Sequence, residues 1–249
     1  MEMMNLFIIF LAGMIGGSIG TLVGGGSFIT IPTLILLGLP PHTAIGTDRL
    51  GMTGIGSAGW YKFHKKGMID YKIGFILGFA TMLGSLLGAN LVLQINEEIL
   101  KRAVAVITIL ILFFITIITP KMGIEKNNHV VKNHEYLIGA VGSFFLGIYG
   151  GFYGAGTATF ISYILLLLFK QTFLECAATV KIAALLMCAM AASIFAINGA
   201  VHYFLAISMF IGSFIGSYIG AHYSDTIGNV WIKRLFSVIV LIMAIKLLV

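Results

Sequence analysis

The chain has 249 residues, of which 59% are hydrophobic and only 10% are charged, and its formal net charge is +6. Soluble domains carry roughly 25% charged residues, so this composition excludes an ordinary water-soluble protein. No basic run is long enough to indicate nucleic-acid binding. The composition predicts an all-α integral membrane protein that crosses the plasma membrane several times.

Apolar segments follow one another along the chain, five on each side of a polar stretch. They cover residues 5–22, 27–39, 42–61, 70–94 and 98–119, and then 136–149, 157–169, 174–197, 201–223 and 230–248. Several are close to the roughly 20 apolar residues that a spanning helix needs. We predict a first transmembrane repeat over residues 1–119, a cytoplasmic linker over 120–135 and a second transmembrane repeat over 136–249.

The two halves repeat the same residue types at a constant spacing. A shift of 132 positions superimposes a tyrosine, a Gly-Ser pair and a Lys-Arg pair. The matched residues are Tyr71 and Tyr203, Gly84-Ser85 and Gly216-Ser217, and Lys101-Arg102 and Lys233-Arg234. These matches indicate an internal duplication of about five helical segments.

Loop charges predict how the two halves are oriented. The stretch 61–72 contains four lysines, whereas the equivalent stretch around Asn198 contains neither lysine nor arginine. Lys and Arg favour cytoplasmic loops, so the equivalent loops should face opposite sides of the membrane. This is the inverted-repeat arrangement of many secondary transporters.

Each half contains a glycine-rich interruption before a short apolar segment, and we call these interruptions the first and second glycine breaks. The first comprises Gly24, Gly25 and Gly26 before Ser27, and the second comprises Gly154 and Gly156 before Thr157. Segment 27–39 would span about 20 Å as a helix, less than the roughly 30 Å hydrocarbon core. We therefore expect short helices that restart after unwound backbone, with Ser27 and Thr157 as N-caps and free amides that suit an anion.

A Thr-x-cation pattern follows each glycine break inside an apolar segment. The two copies are Thr47-Asp48-Arg49 and Thr179-Val180-Lys181, and Lys181 follows Arg49 by 132 positions. A cation within the bilayer needs a partner or a water-filled site. Helical rise places the two cations at similar depths from opposite faces, so we expect them to approach one anion site. The alternative is that both side chains snorkel to the membrane surface.

Asp48 is where the two copies differ, because its counterpart is Val180. Adjacent helical residues point about 100° apart, so we expect Asp48 to pair poorly with Arg49. It should instead take a proton or pair with Lys181 across the bundle.

The order of these motifs resembles that of the TauE/SafE sulfite exporter family of membrane transporters. The matching residues are Gly17, Gly20, Gly24, Gly25, Gly26 and Pro32, then Gly46-Thr47-Asp48-Arg49-Leu50, and in the second half Gly150, Gly154, Gly156 and Ala178-Thr179-Val180-Lys181. The resemblance covers essentially the whole chain. It implies transport of small anions, with sulfite and organosulfur compounds as the associated substrates.

We therefore predict a secondary transporter, not an enzyme, that moves a small anion by alternating access. The predicted substrate-binding residues are Gly24, Gly25, Gly26, Ser27, Thr47, Asp48, Arg49, Gly154, Gly156, Thr157, Thr179 and Lys181. No G-x-x-x-x-G-K-[ST] motif occurs, so an ion or substrate gradient should supply the energy. We expect no cofactor, metal or nucleic acid, and as partners the anion, the lipid bilayer and a coupling ion (H⁺ or Na⁺), with a homodimer left open.

Three alternatives compete with anion transport. A cation or metal permease could use Asp48 and His42, although clustered His and carboxylate ligands are missing from the sequence. An intramembrane hydrolase could use Ser57, but His64, the nearest histidine in the sequence, falls in a predicted loop. A membrane assembly factor without transport activity would leave the paired cations without a purpose.

Overall fold

A computed structural model describes residues 2–22, 24–118 and 131–224, and within these ranges the chain folds into helices joined by short connections, without strands. In chain order the helices are α1 (Glu2–Leu22), α2 (Ser27–Leu36), α3 (Pro41–Lys65), α4 (Tyr71–Val92), α5 (Glu97–Ile118), α6 (Asn133–Phe152), α7 (Thr157–Phe169), α8 (Phe173–Ile197) and α9 (Tyr203–His222). The predicted all-α class is confirmed. The predicted segment 230–248 and residues 120–130 of the predicted linker lie outside the described residues.

Five of the described helices are long and apolar enough to cross a bilayer, namely α1, α4, α6, α8 and α9. Helices α2 and α7 have 10 and 13 residues. At 1.5 Å per residue they extend about 15 and 20 Å, which is too short to cross the hydrocarbon core. The chain is therefore a multi-pass membrane protein that contains two short interior helices.

Equivalent helices of the two halves begin with equivalent caps. The Asp70 carboxylate accepts a hydrogen bond from the backbone amide of Ile73 at 3.0 Å, at the start of α4. The His202 ring accepts one from the amide of Leu205 at 3.4 Å, at the start of α9. Both residues of the second pair lie 132 positions after those of the first, so the spacing that predicts a duplication also relates these capping contacts.

Contacts between the halves are also reciprocal. Helix α1 packs against α9 and α4 against α6, while α3 packs against both α8 and α9 and α4 also packs against α8. Ser85 donates to the carbonyl of Met187 at 2.9 Å, and Ser217 donates to the carbonyl of Ile55 at 3.0 Å. Paired contacts in which each half supplies both the donor and the acceptor are what a two-fold relationship produces. Opposite insertion of the halves into a membrane stays a prediction.

Glycines allow the close approach of these helix pairs. A Cβ at Gly84 or Gly88 of α4 would overlap backbone carbonyls of α6. A Cβ at Gly216 or Gly220 of α9 would overlap backbone carbonyls of α1 in the same way. Small residues at regular spacing bring membrane helices into backbone contact, so these glycines serve packing and lie apart from the glycine breaks.

Candidate functional site

Both glycine breaks adopt backbone conformations that favour glycine. Gly24 and Gly25 each have φ of +82°, while Gly154 and Gly156 have φ of +79° and +83°. Side chains are strained in this left-handed region, whereas glycine enters it freely. The turns from α1 into α2 and from α6 into α7 therefore depend on these glycines.

The predicted N-caps are wrong by one residue. Gly26 and Gly156 occupy the N-cap positions, and neither helix has a side-chain cap hydrogen bond. Ser27 and Thr157 are instead the first residues of α2 and α7. Glycine takes the cap at α7 because the chain enters this helix from a positive φ, which Thr would adopt only under strain. The hydroxyls of Ser27 and Thr157 are consequently left for other partners.

The N-terminal end of α7 lies beside both the first glycine break and the Arg49 side chain. A Cβ at Gly24 would overlap the hydroxyl of Thr159, in the first turn of α7. A Cβ at Gly154 would overlap Nη1 of Arg49. The absence of side chains at these two glycines therefore lets the first break and a guanidinium approach α7 closely.

Asp48 and Arg49 form a buried ion pair, contrary to the expectation drawn from their adjacency. Both side chains are almost inaccessible, at 0% and 1% exposed, and Nη2 of Arg49 bonds to Oδ2 of Asp48. Ser27 of α2 joins the pair, since its Oγ accepts from Arg49 Nη2 at 2.8 Å and donates to Asp48 Oδ2 at 2.8 Å. The arginine side chain is long enough to reach its neighbour, even though the two Cα–Cβ bonds point about 100° apart on the helix.

Thr30 completes the surroundings of the Asp48 carboxylate. Its hydroxyl donates to Oδ1 of Asp48 from the next turn of α2. Sequence reasoning missed Thr30, although its spacing of three residues from Ser27 places both hydroxyls on one helix face. That spacing was the available signal.

Two polar groups at the N-terminal end of α7 are buried and have no hydrogen-bond partner among the described residues. They are Nε of Arg49 and Oγ1 of Thr157. Thr157 follows Gly154 by one turn, with its amide 3.2 Å from the Gly154 carbonyl, and Gly154 contacts the guanidinium. Buried polar groups are rarely left unpaired. The Arg49 donor and the Thr157 hydroxyl therefore still have hydrogen-bonding capacity that no described residue uses.

Lys181 lies in a different place from Arg49. Its Nζ donates to the Thr21 carbonyl at 2.9 Å, and its stem packs against Gly59, whose added Cβ would lie 2.9 Å from Lys181 Cδ. Gly59 comes ten residues after Arg49 on α3, about 15 Å along the helix axis. The structure therefore separates the two cations, which were expected to share one site.

Each cation instead reaches the end of a helix in the opposite half. Arg49 Nη1 donates to the Gly150 carbonyl of α6 at 3.4 Å, and Lys181 donates near the end of α1. Helix C-terminal ends carry partial negative charge, which attracts a cation. Both side chains are only 1% exposed, so the alternative of snorkelling to the membrane surface does not describe them.

Thr47 and Thr179 bind loops and not the cations beside them. The Thr47 hydroxyl accepts from the backbone amide of His202 at 2.9 Å, and the Thr179 hydroxyl accepts from that of Asp70 at 3.2 Å. Each threonine thus holds the cap residue of a helix in the other half. The structure places them apart from the Asp48–Arg49 pair.

The residues of the alternative hypotheses are not brought together. His42 bonds to the Val92 carbonyl at 2.9 Å, whereas Asp48 is held by Arg49. Across the described ranges, no group of three His, Cys, Asp or Glu residues could hold a metal ion. Ser57 donates to the carbonyl of Thr53 at 2.8 Å, while Nδ1 of His64 lies 2.6 Å from the hydroxyl of Tyr71. Ser57 and His64 therefore do not form a nucleophile–base pair.

The fold combines several membrane-length helices with two short helices that follow glycine breaks, and it buries charged side chains in its interior. This combination is typical of a multi-pass membrane transporter. The chain belongs to the sulfite exporter TauE/SafE family, whose model matches residues 9–247. The resemblance seen in the sequence is confirmed.

Full-length relatives agree with this assignment. A probable membrane transporter protein of Haemophilus influenzae is 31% identical over 97% of this chain and 94% of its own length. The probable membrane transporter protein YdhB of Bacillus subtilis is 27% identical over 93% of this chain and 94% of its own length. Family and relatives are membrane transporters and not enzymes.

Proposed function

We propose that the protein is a permease for small oxyanions, sulfite or organosulfur compounds, and that it binds them at the N-terminal end of α7 beside Arg49. One observation carries the proposal: Thr157 Oγ1 at this helix end and Nε of the neighbouring Arg49 are both buried without hydrogen-bond partners in the described part of the chain. An oxyanion would supply acceptors to both groups.

The local chemistry favours an anion over a cation. The helix dipole makes the N-terminal end of α7 partially positive, although the amides of Thr157 and Thr159 already donate to the carbonyls of Gly154 and Gly156. A guanidinium presents several donors in one plane, which matches the oxygens of a sulfite or sulfonate group. A cation placed here would meet the Arg49 charge with no free carboxylate, since Asp48 already binds Arg49.

We propose that access to this site alternates as one half of the protein moves against the other. Support comes from the reciprocal contacts, because the helices that flank the site belong to opposite halves: α3 supplies Arg49 and α7 supplies Thr157. Transporters built from two related halves commonly bind substrate at discontinuous helices between them.

The test is counterflow of labelled anions in proteoliposomes, screened across sulfite, thiosulfate, sulfate and small alkanesulfonates. We expect at least one oxyanion to be transported, and Thr157→Val to raise its KM without loss of folded protein. Ser162→Ala is the matched control, since the Ser162 hydroxyl on α7 already donates to the Ala158 carbonyl at 2.8 Å. Absence of transport for every anion, or equal KM values for both variants, would overturn the assignment.

A further inference from the structure

The Asp48 carboxylate is held by a set of donors that would also suit a small oxyanion. Arg49 Nη2 and Ser27 Oγ bind its Oδ2, and Thr30 Oγ1 binds its Oδ1. Oxyanions are typically bound in this way, by a guanidinium and hydroxyl groups that donate to their charged oxygens. Asp48 therefore occupies, as a tethered anion, the side of Arg49 next to the proposed substrate position.

We propose that the ionised Asp48 competes with the substrate anion for Arg49, and that the anion is therefore bound together with one proton on Asp48. This inference rests on the proposed function and names its coupling ion. Two negative charges cannot share one buried guanidinium without a large repulsion, because interior sites screen charges poorly.

The exchange balances in charge and hydrogen bonds. A proton adds to a carboxylate oxygen of Asp48, the ion pair with Arg49 Nη2 breaks, and an oxygen of the incoming anion takes the vacated donor. The neutral carboxyl group loses the bond from Arg49 but keeps those to Ser27 and Thr30, since hydroxyls can rotate between donating and accepting. When the anion leaves, the proton leaves and the ion pair re-forms. One monoanion thus moves with one proton and without net charge.

The neighbours of this pair leave Asp48 as the group that exchanges the proton. From α6, Tyr153 neighbours Asp48 and Tyr149 neighbours Arg49, and from α8, Cys188 accepts weakly from Arg49 Nη1 at 3.9 Å. Helix α2 contributes only the hydroxyls already named. Within the described ranges no second carboxylate and no histidine contacts the pair.

A proton suits this site better than Na⁺. A sodium ion on the Asp48 carboxylate would lie beside the Arg49 guanidinium, and the two positive charges would repel each other at close range. The second half has Val180 at the position of Asp48, so the Lys181 site has no equivalent tethered anion. The asymmetry gives one coupled proton for each transport cycle.

The experiment uses the full-length protein in proteoliposomes with a trapped pH-sensitive dye and an imposed gradient of a small alkanesulfonate. This monoanion stays unprotonated near neutral pH, so any proton movement reports on the protein. We expect the anion gradient to drive protons in the same direction as the anion. The apparent affinity for the anion should fall as the pH rises, by at most about tenfold per pH unit, as linkage to one proton requires.

The variant Asp48→Asn removes the competing charge while keeping a side chain of the same size. We expect loss of anion-driven proton movement, a lower KM at alkaline pH and a flat pH profile. Asp70→Asn is the matched control, because Asn also caps helices well and Asp70 lies outside the site. This control should keep the wild-type coupling.

The outcomes separate this inference from the proposed function. Anion flux in the wild type without proton movement would overturn the inference and leave the permease assignment intact, even if Asp48→Asn failed to fold. Flux that requires Na⁺ and ignores pH would also overturn it. Absence of flux for every anion would remove the proposed function and this inference together.

Discussion

The ammonium group of Lys181 donates a hydrogen bond to the carbonyl oxygen of Thr21, 2.9 Å away. Thr21 is the penultimate residue of α1, so a cation of the second half binds the end of the interrupted helix of the first half. Arg49 does the same for α6 through Gly150. Both cations therefore bind a backbone carbonyl near the end of a helix in the opposite half, and Arg49 additionally pairs with Asp48.

The substitution Lys181→Met tests whether this lysine contacts substrate. The buried charge costs several kcal/mol in desolvation, against roughly 1.5–3 kcal/mol for its hydrogen bond. We expect the melting temperature in detergent to stay constant or rise, and KM for the anion to be retained while the maximal rate falls. Lys65→Met, at an exposed position, is the control for loss of a lysine. A large rise in KM would instead place Lys181 in the binding site.

Replacing Arg49 alone should destabilise the protein much more than replacing both residues of the buried pair. We expect Arg49→Gln to destabilise the protein by about 3–5 kcal/mol, because it leaves the Asp48 carboxylate buried and unpaired. The double variant Asp48→Asn/Arg49→Gln should recover most of this loss, as a double-mutant cycle measured by denaturation would show.

The exposed pair Glu98–Arg102 provides the comparison for that cycle. A surface pair of this spacing contributes only about 0.3–0.5 kcal/mol, so its cycle should give a coupling close to zero. Equal coupling energies for the two pairs would contradict the burial assigned to Asp48 and Arg49.

Gly154 should tolerate no side chain. Gly154→Ala strains a positive φ and drives its Cβ into the Arg49 guanidinium, so we expect lost stability and lost anion transport. Gly199→Ala carries the same backbone strain at φ of +69° but meets nothing within 4 Å. Transport by the Gly199 variant should persist, at a stability cost of about 1–3 kcal/mol. Equal transport in both variants would remove the steric role assigned to Gly154.

Thr47 and Thr179 should affect stability and not substrate affinity. Thr47→Val and Thr179→Val each remove one bond to a loop of the opposite half, and each should cost about 0.5–1.5 kcal/mol. We expect their effects on melting to be similar and KM to be unchanged in counterflow assays. A several-fold rise in KM for either variant would return that threonine to the substrate site.

Helix positions could be predicted closely because long apolar runs are visible directly in the order of the residues. Differences arise where single residues decide an end. Helix α2 ends at Leu36, three residues before the predicted end, because Gly38 turns the chain at φ of +94°. Helix α6 begins at Asn133 and not at 136, since the Glu135 carboxylate accepts from the Lys132 amide at 2.8 Å and caps the first turn.

The site was harder to predict because it depends on which side chains meet across helices. The residues Asp48, Arg49, Ser27 and Thr157 could be selected as polar groups in apolar surroundings. The contacts among these residues could not be predicted, because they require Ser27 of α2 to lie against α3. The roles of Thr47 and Thr179 likewise depend on loops more than 100 residues away in sequence.

The threonine contacts have a consequence for how such a chain could have originated. Thr47 accepts a hydrogen bond from His202, and Thr179 accepts one from Asp70. The same type of contact therefore occurs twice in a single polypeptide. A half-length ancestor would have formed that bond with a second copy of itself, and gene fusion would then have joined the two copies. We expect the separated halves of today's chain to be unstable alone and to reassemble when they are produced together.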